Sequence, residues 1–347
     1  MKEMNFEKLA SVANQFNIEG VVKCIEPVGN GHINDTYLVR TDRDNYLLQR
    51  INDHVFGSPE RLMENVTAVT EFIGGRLRVI PAKNGRAFVR TANGFFRMLT
   101  YIGNSYSCEH ANDPETFREI GRAYGAFIND LAEFPADRLN ETIEGFHDTR
   151  RRFEQFRKAC ESDPLGRKST ALPEIGFAFA HEKDVDYLND CVKRGEIPVR
   201  VTHNDTKINN VMLDRDTGKA VAVIDLDTVM PGLAVNDFGD AIRSGAATGC
   251  EDDPDAESIR LDIELYRSYA KGFMEGFPGL TKREKELLPF GAGIMTLECG
   301  LRFLTDYLEG DHYFKTDYPG QNLARCRTQF RLVREIENHW DELQIEE

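Results

Sequence analysis

The sequence predicts an α+β chain in two parts: an antiparallel sheet carrying one inserted helix, then a mostly helical remainder. Three observations carry this. Through residues 18–102 apolar and polar side chains mostly alternate, the mark of half-buried strands. From about residue 113 the apolar period lengthens to that of amphipathic helices. Within the helical part, residues 201–214 read VTHNDTKINNVMLD, a His, two aspartates, a Lys and three asparagines between apolar flanks. Such a stretch is a polar site held on an apolar frame.

The elements follow in order. Residues 5–16 place Phe6, Leu9, Ala10 and Ala13 on one face of a short helix. Strands are expected at 21–27, 36–40 and 46–50, with a turn at Gly29-Asn30-Gly31-His32-Ile33-Asn34 between the first two. A helix at 59–74 presents Leu62, Val66, Val69 and Ile73 on one face. Two more strands, 87–90 and 95–99, flank the hairpin turn Ala92-Asn93-Gly94. Beyond 102 the periodicity predicts helices at 113–133, 148–162, 174–193, 254–277, 281–310 and 320–345. Two short strands within 199–226 flank Arg215-Asp216-Thr217-Gly218. The expected division is an N-terminal lobe, 1–102, and a C-terminal lobe, 103–347.

Composition narrows the function classes. At 347 residues the length suggests two domains, and 41% hydrophobic residues supply a sizeable core. The net charge of −15, from 58 acidic and 43 basic residues, argues against general binding of nucleic acid or anionic membrane. It leaves a phosphate substrate open, because a local Lys, helix N-terminus or metal ion overrides the global sign. Seven cysteines without a CxxC pair suit reduced thiols rather than a disulfide scaffold or zinc module. The first 17 residues lack a signal-peptide pattern, and no apolar run approaches a membrane span in length, so a cytoplasmic protein is expected. The histidines His110, His147 and His181 stand apart from one another and read as structural or surface residues.

The chemistry lies in the polar stretch. Asp205, Lys207 and Asn210 stand at offsets 0, +2 and +5, and Ile224-Asp225-Leu226-Asp227 follows at the end of the next strand. Phosphoryl transfer needs positioning and charge neutralisation more than covalent help. A carboxylate must orient the acceptor hydroxyl and take its proton, which suits Asp205. A Lys can sit against the transferring oxygens, which suits Lys207. Mg²⁺ prefers oxygen ligands and keeps several waters, so one amide oxygen and one carboxylate suffice, which suits Asn210 and Asp225. Asp237-Phe238-Gly239 spells a kinase metal motif, yet it begins 27 residues after Asn210, beyond Pro231-Gly232 rather than at the hairpin end. It is rejected as the metal site.

The pattern H-x-D-x-K-x-x-N, then a hairpin, then Ile-Asp, resembles the catalytic core of protein-kinase-like enzymes, in the version of the aminoglycoside phosphotransferase and choline kinase group. The resemblance covers nearly the whole chain and implies the two-lobed protein-kinase-like fold, with ATP as co-substrate and Mg²⁺. The catalytic loop is then 203–210 and the metal-binding hairpin end 224–227. It implies a nucleotide-covering turn containing Gly29 and Gly31, and puts Gln49 at the strand-three position where kinases carry a Lys. It implies that His203 and Asp237 support the catalytic loop, with Asp240 the weaker candidate. Residues 29–39, 201–213, 223–243 and 298–314 are further similar to the N-acetylhexosamine 1-kinases, implying GlcNAc or GalNAc as acceptor and a role in amino-sugar salvage. By that resemblance His32, Arg302 and Tyr313 line the sugar site beside Asp205. Two other readings stand: a kinase of the same fold for an amino alcohol, homoserine or an aminoglycoside, and a nucleotide-binding module without catalysis, which Gln49 in place of the Lys allows. No nucleic-acid or membrane partner is expected, and no oligomeric state follows from the sequence.

Overall fold

The computed structural model describes residues 4–29, 34–53, 56–110 and 113–345. The chain begins with α1 (Phe6–Ala13), β1 (Val22–Pro27), β2 (Asp35–Thr41), β3 (Asn45–Ile51) and α2 (Pro59–Ile73). It continues with β4 (Val89–Thr91), β5 (Gly94–Thr100), β6 (Ser105–Tyr106), α3 (Pro114–Asp130), α4 (Thr149–Ser162), α5 (Leu172–Ala180) and α6 (Tyr187–Lys193). Then come β7 (Arg200–Thr202), β8 (Val211–Asp214), β9 (Ala220–Val223), β10 (Met230–Gly232), α7 (Ala234–Gly245), α8 (Ile263–Gly276), α9 (Lys282–Glu309) and α10 (Gln321–Asn338). These form two compact units, one of Met1–Ser107, Glu133–Glu144 and Val211–Met230, the other of Cys108–Ala132, Gly145–Asn210 and Pro231–Glu347. Sequence places the division at residue 102; by packing, 211–230 also groups with the first unit, because β8 pairs with β6 and β9 with β8.

The first unit is built on a five-stranded sheet in the order β1-β2-β3-β5-β4, every neighbouring pair antiparallel. Strand alternation sorts its two faces. Val39, Tyr46, Leu48, Phe96 and Met98 bury one face against Leu9, Val12, Ala13 and Phe16, which explains the apolar side of α1. The opposite face carries Thr36, Gln49 and Arg97 in register across β2, β3 and β5. β5 pairs with β3 and not only with its hairpin partner, so α2 is the connection that lets β4 take the edge. α2 begins with Ser58 capping the Arg61 N–H and Pro59 in its first turn, and ends at Gly74 with φ +66°.

The second unit is helical and closely packed. α3 and α8 meet through glycines: a Cβ on Gly121 would stand 2.5 Å from the Tyr269 carbonyl oxygen, and one on Gly272 only 1.9 Å from that of Arg118. α7 crosses α9 in the same way, Gly239 lying against the backbone of Gly291. The expected helix at 174–193 is two, α5 and α6, separated by a 3₁₀ turn at Glu182–Asp184. The one expected at 254–277 starts at 263, where Asp262 caps the Leu265 N–H. α9 is long and apolar enough to cross a membrane, contrary to the sequence expectation; 78% of its apolar stretch is buried, so its composition is that of a core helix. None of the seven cysteines is bridged.

Candidate active site

The second unit positions His203–Asn210 between β7 and a 3₁₀ turn at Ile208–Asn210. His203 is fully buried, edge-on to Tyr124 and Phe127. Asn204 has φ +63°, a conformation that costs a non-glycine residue strain. That turn is held from α7. Asp237 accepts the N–H groups of His203 (2.7 Å) and Asn204 (2.8 Å), and Asp240 accepts that of Thr206 (2.9 Å). The Thr206 hydroxyl donates to the Asp237 carbonyl at 2.6 Å. The two α7 aspartates share the bracing, so Asp240, the weaker sequence candidate, is as engaged as Asp237. Burial pushes the Asp237 carboxyl up to about 6, against the lowering effect of His203 and the two N–H groups. Asp240 is the opposite case: burial would raise it, but Arg243, at 2.8 Å, and other cations hold it at about 2.

On this frame Asp205 is partly exposed and ion-pairs with Lys207, Nζ to Oδ1 3.3 Å. The Asp205 charge holds the Lys207 ammonium pKa above its ordinary value. Asn210 is 7% exposed and donates Nδ2 to the Asp205 carbonyl at 2.9 Å, which fixes the orientation of its Oδ1, an acceptor oxygen. Tyr124 donates its hydroxyl to the Lys207 carbonyl at 2.7 Å. A cavity of about 330 Å³ borders this loop, with Lys207, Asn209, Arg243, Ser244 and Gln329 in its wall. Arg302 lies over the rings of Phe146, Tyr313 and Phe314, and Tyr313 is 68% exposed.

The first unit carries the other expected residues. Asp225 follows β9 in the left-handed region, φ 58° and ψ 56°, and leads a 3₁₀ turn at Leu226–Thr228. Its side chain is exposed, whereas Asp227 is buried. Asp227 pairs with Arg97 and accepts Asn34 Nδ2 at 2.7 Å. Gln49 accepts Arg97 Nε at 2.7 Å and donates to Thr36 Oγ1 at 3.0 Å. Gly29 has φ +80° in the turn after β1, while Gly31 and His32 lie outside the described residues.

Two engaged residues escape sequence reasoning. Arg97 is 2% exposed beside the strand-three position, and its signal was a lone charge inside Phe95-Phe96-Arg97-Met98-Leu99. His147 is largely enclosed, its side chain 10% exposed, with its ring nitrogens 2.9 Å from Glu298 Oε1 and 2.9 Å from the Asn204 carbonyl oxygen. Nothing in its sequence neighbourhood marks that contact.

Comparison with known proteins bears on the family and the fold. The model of a family described as "Phosphotransferase enzyme family" matches residues 25–272. Among solved structures, a microcompartment-associated aminopropanol kinase is similar at TM-score 0.65 and 16% identity, covering 98% of this chain and 99% of the other. A spectinomycin phosphotransferase, solved with ADP and spectinomycin, is similar at TM-score 0.63 and 12% identity, covering 99% and 100%. A choline kinase from Cryptosporidium parvum Iowa II is similar at TM-score 0.62 and 12% identity, covering 97% of each. At such identities the likeness speaks to the fold, which is that of protein-kinase-like small-molecule kinases.

Proposed function

Since the chain belongs to the phosphotransferase enzyme family, we propose that it transfers the γ-phosphate of ATP to the anomeric hydroxyl of an N-acetylhexosamine, GlcNAc or GalNAc, giving the sugar 1-phosphate and ADP. The observation that carries a kinase reading is the loop of Asp205, Lys207 and Asn210, whose backbone is fixed from α7 and whose functional side chains are left for chemistry. The narrower sugar reading rests on the sequence similarity and on Arg302 beside Tyr313, 3.5 Å between Nη2 and the hydroxyl oxygen.

In this reading Asp205 accepts the proton of the acceptor hydroxyl as its oxygen bonds to the γ-phosphorus, and the bond to ADP breaks. An anomeric hydroxyl is more acidic than an ordinary alcohol, so a carboxylate is an adequate base. Lys207 offsets charge on the transferring oxygens. Asn210 Oδ1 and the exposed Asp225 carboxylate are hard oxygen donors that suit Mg²⁺, which supplies charge neutralisation on the phosphates when bound. Gln49 and the Gly29 turn serve the nucleotide. His203 and Asp237 support the catalytic loop, and Arg302, Tyr313 and His32 serve the sugar. The cavity beside Lys207 lies at the low end of the ~300–1,000 Å³ usual for small-molecule sites.

A cationic acceptor would call for an acidic pocket. The acidic run Glu251-Asp252-Asp253 is already engaged: Glu251 pairs with Arg243, Asp252 accepts from Gln321 at 2.8 Å, and Asp253 accepts the Asp255 N–H. Of the acidic groups in the cavity wall, Glu251 is thus offset by Arg243, which suits a neutral acceptor better than a cationic one. The test is purified protein with MgATP and a panel of GlcNAc, GalNAc, glucose, galactose, choline, homoserine and kanamycin, with phosphorus NMR of the product. An anomeric phosphate on an N-acetylhexosamine is the expected result. Turnover confined to choline, homoserine or kanamycin would replace the acceptor, and ATP binding without turnover would replace the reaction.

A further inference from the structure

We propose that His147 is a positioning residue of the phosphoryl transfer: as an imidazolium it locks the Asn204–Asp205 peptide in place and ties the Glu298–Arg302 stretch of α9 to the catalytic loop. The inference rests on the reading of Asp205 as base.

The argument begins with the Asn204 backbone. Its N–H is held by Asp237 at 2.8 Å and its carbonyl oxygen faces His147 Nε2 at 2.9 Å. With φ +63° the residue sits in a conformation that L side chains rarely adopt, and such a conformation persists only when its surroundings over-determine it. The next residue is Asp205, so the direction of its side chain depends on this peptide. His147 holds that carbonyl through Nε2 at 2.9 Å.

The second step is the protonation of the ring. Both nitrogens face acceptors, a carbonyl oxygen at Nε2 and Glu298 Oε1 at Nδ1, 2.9 Å each. A neutral imidazole has one N–H and would turn a lone pair on one of them. With the Glu298 carboxyl held ionised, against its burial, by the ring, the Thr149 hydroxyl and Arg302, only the doubly protonated ring satisfies both. The charged groups around it agree. Glu298 on α9 is 1% exposed and its other oxygen accepts the Thr149 hydroxyl at 2.7 Å. Asp237 and Asp240 on α7 also feel the ring, and Arg302 and Arg152 interact with Glu298 as well. Burial alone would lower the ring's pKa; Glu298, the Asn204 carbonyl and Asp240 together leave it raised.

The third step is the connection. Glu298 and Arg302 are one helical turn apart on α9, and Arg302 is the residue proposed for the sugar. Phe146 contacts both ends, its ring 4.5 Å from that of His147 and 5.6 Å from the Arg302 guanidinium. A displacement of Arg302 on acceptor binding is therefore felt at Asn204 through two residues.

The test uses His147→Gln and Glu298→Gln in the full chain. His147→Gln should lower kcat about ten-fold or more while the KM for MgATP stays within about two-fold, as loss of a charge-assisted hydrogen bond at a loop that holds the base would do. Wild-type kcat should fall on the alkaline side as the ring loses its proton, above the ordinary histidine range, and that limb should be absent in His147→Gln. Glu298→Gln keeps a hydrogen-bond acceptor but removes the charge, so the limb should move to lower pH; this holds even if His147→Gln fails to fold. Nitrogen-15 NMR should show the His147 ring doubly protonated at pH 7. A singly protonated ring at pH 7, or pH profiles of folded variants that overlay the wild type, would overturn the proposal. So would a kcat loss accounted for entirely by the unfolded fraction. Absence of all kinase activity in the wild type, with the ring doubly protonated, would sink the functional reading and not this geometry.

Discussion

Arg97 and Asp227 form an ion pair inside the first unit, with side chains 2% and 4% exposed. Asp227 lies two residues beyond Asp225, and Arg97 also holds Gln49 through Nε at 2.7 Å. The pair thus fastens the hairpin end to the face of the sheet that carries the strand-three position. Removing one partner of a buried pair leaves the other charge uncompensated, at about 3–5 kcal/mol. Arg97→Met should therefore lose about that much stability by urea denaturation. Arg97→Met with Asp227→Leu should recover much of it, because no charge is then left buried. A single variant that loses less than about 1 kcal/mol would show that the pair does not hold the hairpin.

Asp205→Asn separates chemistry from folding. Its carboxylate is partly exposed, with Lys207 as its ion-pair partner. A missing general base lowers turnover by about 10²–10⁴-fold. The expected result is a kcat loss in that range with a melting temperature within about 2 °C of the wild type, since surface changes rarely move stability by more than about 0.5 kcal/mol. Near-normal turnover would remove Asp205 from the base role.

Asp237 predicts an acid limit. Its folded pKa is raised to about 6 by burial, above the ordinary carboxylate range. Between those two values the folded chain binds a proton that the unfolded chain has released. The contribution of this group to stability is therefore largest at the acid end of that window and is lost as pH rises through it. Activity should run the other way. Protonation replaces one of the two acceptors that hold the His203 and Asn204 N–H groups, so kcat should fall as pH drops below about 6. Urea melts and kcat profiles between pH 4 and 8 check both signs, and a flat kcat through 6 would contradict the bracing role.

Gly239→Ala tests the α7–α9 crossing. An added Cβ would stand 2.1 Å from the Gly291 carbonyl oxygen, which is backbone and cannot swing aside. Overpacking typically costs about 1–3 kcal/mol, and this contact is at the severe end. The expected outcome is a loss of at least about 3 kcal/mol by urea denaturation, while Gly176→Ala, at an exposed position of α5 where a Cβ would meet nothing within 4 Å, should gain up to about 1 kcal/mol.

What the sequence made legible is what lies close along the chain. Asp205, Lys207 and Asn210 share one loop, and the apolar runs of β3 and β5 mark them as strands, though β5 is buried on both faces and its alternation is weak. The strand order was harder, because α2 lies between β3 and its partner β5 and no local signal counts that pairing. The helix break after Ala180 was missed because Val185 and Leu188 continue the apolar stretch while the backbone leaves the α-helix through a 3₁₀ turn. Arg97 and Asp227 are 130 residues apart, and His147 and Glu298 are 151 apart. Contacts of that kind are made by the fold, and a single chain read end to end carries no mark of them.

The first turns of α7 contain Asp237-Phe238-Gly239, and each letter has its own reason to be there. The Asp accepts two backbone N–H groups of the catalytic loop, the Phe is fully buried among Tyr266, Tyr269 and Phe273, and the Gly admits a neighbouring backbone. Three unrelated demands have spelled a familiar word at the wrong address. A scan by spelling would direct mutagenesis to α7, where a substitution disturbs the packing and the loop's backbone; a scan by address, two residues past the β9 strand, leads to Asp225, the residue proposed for the metal.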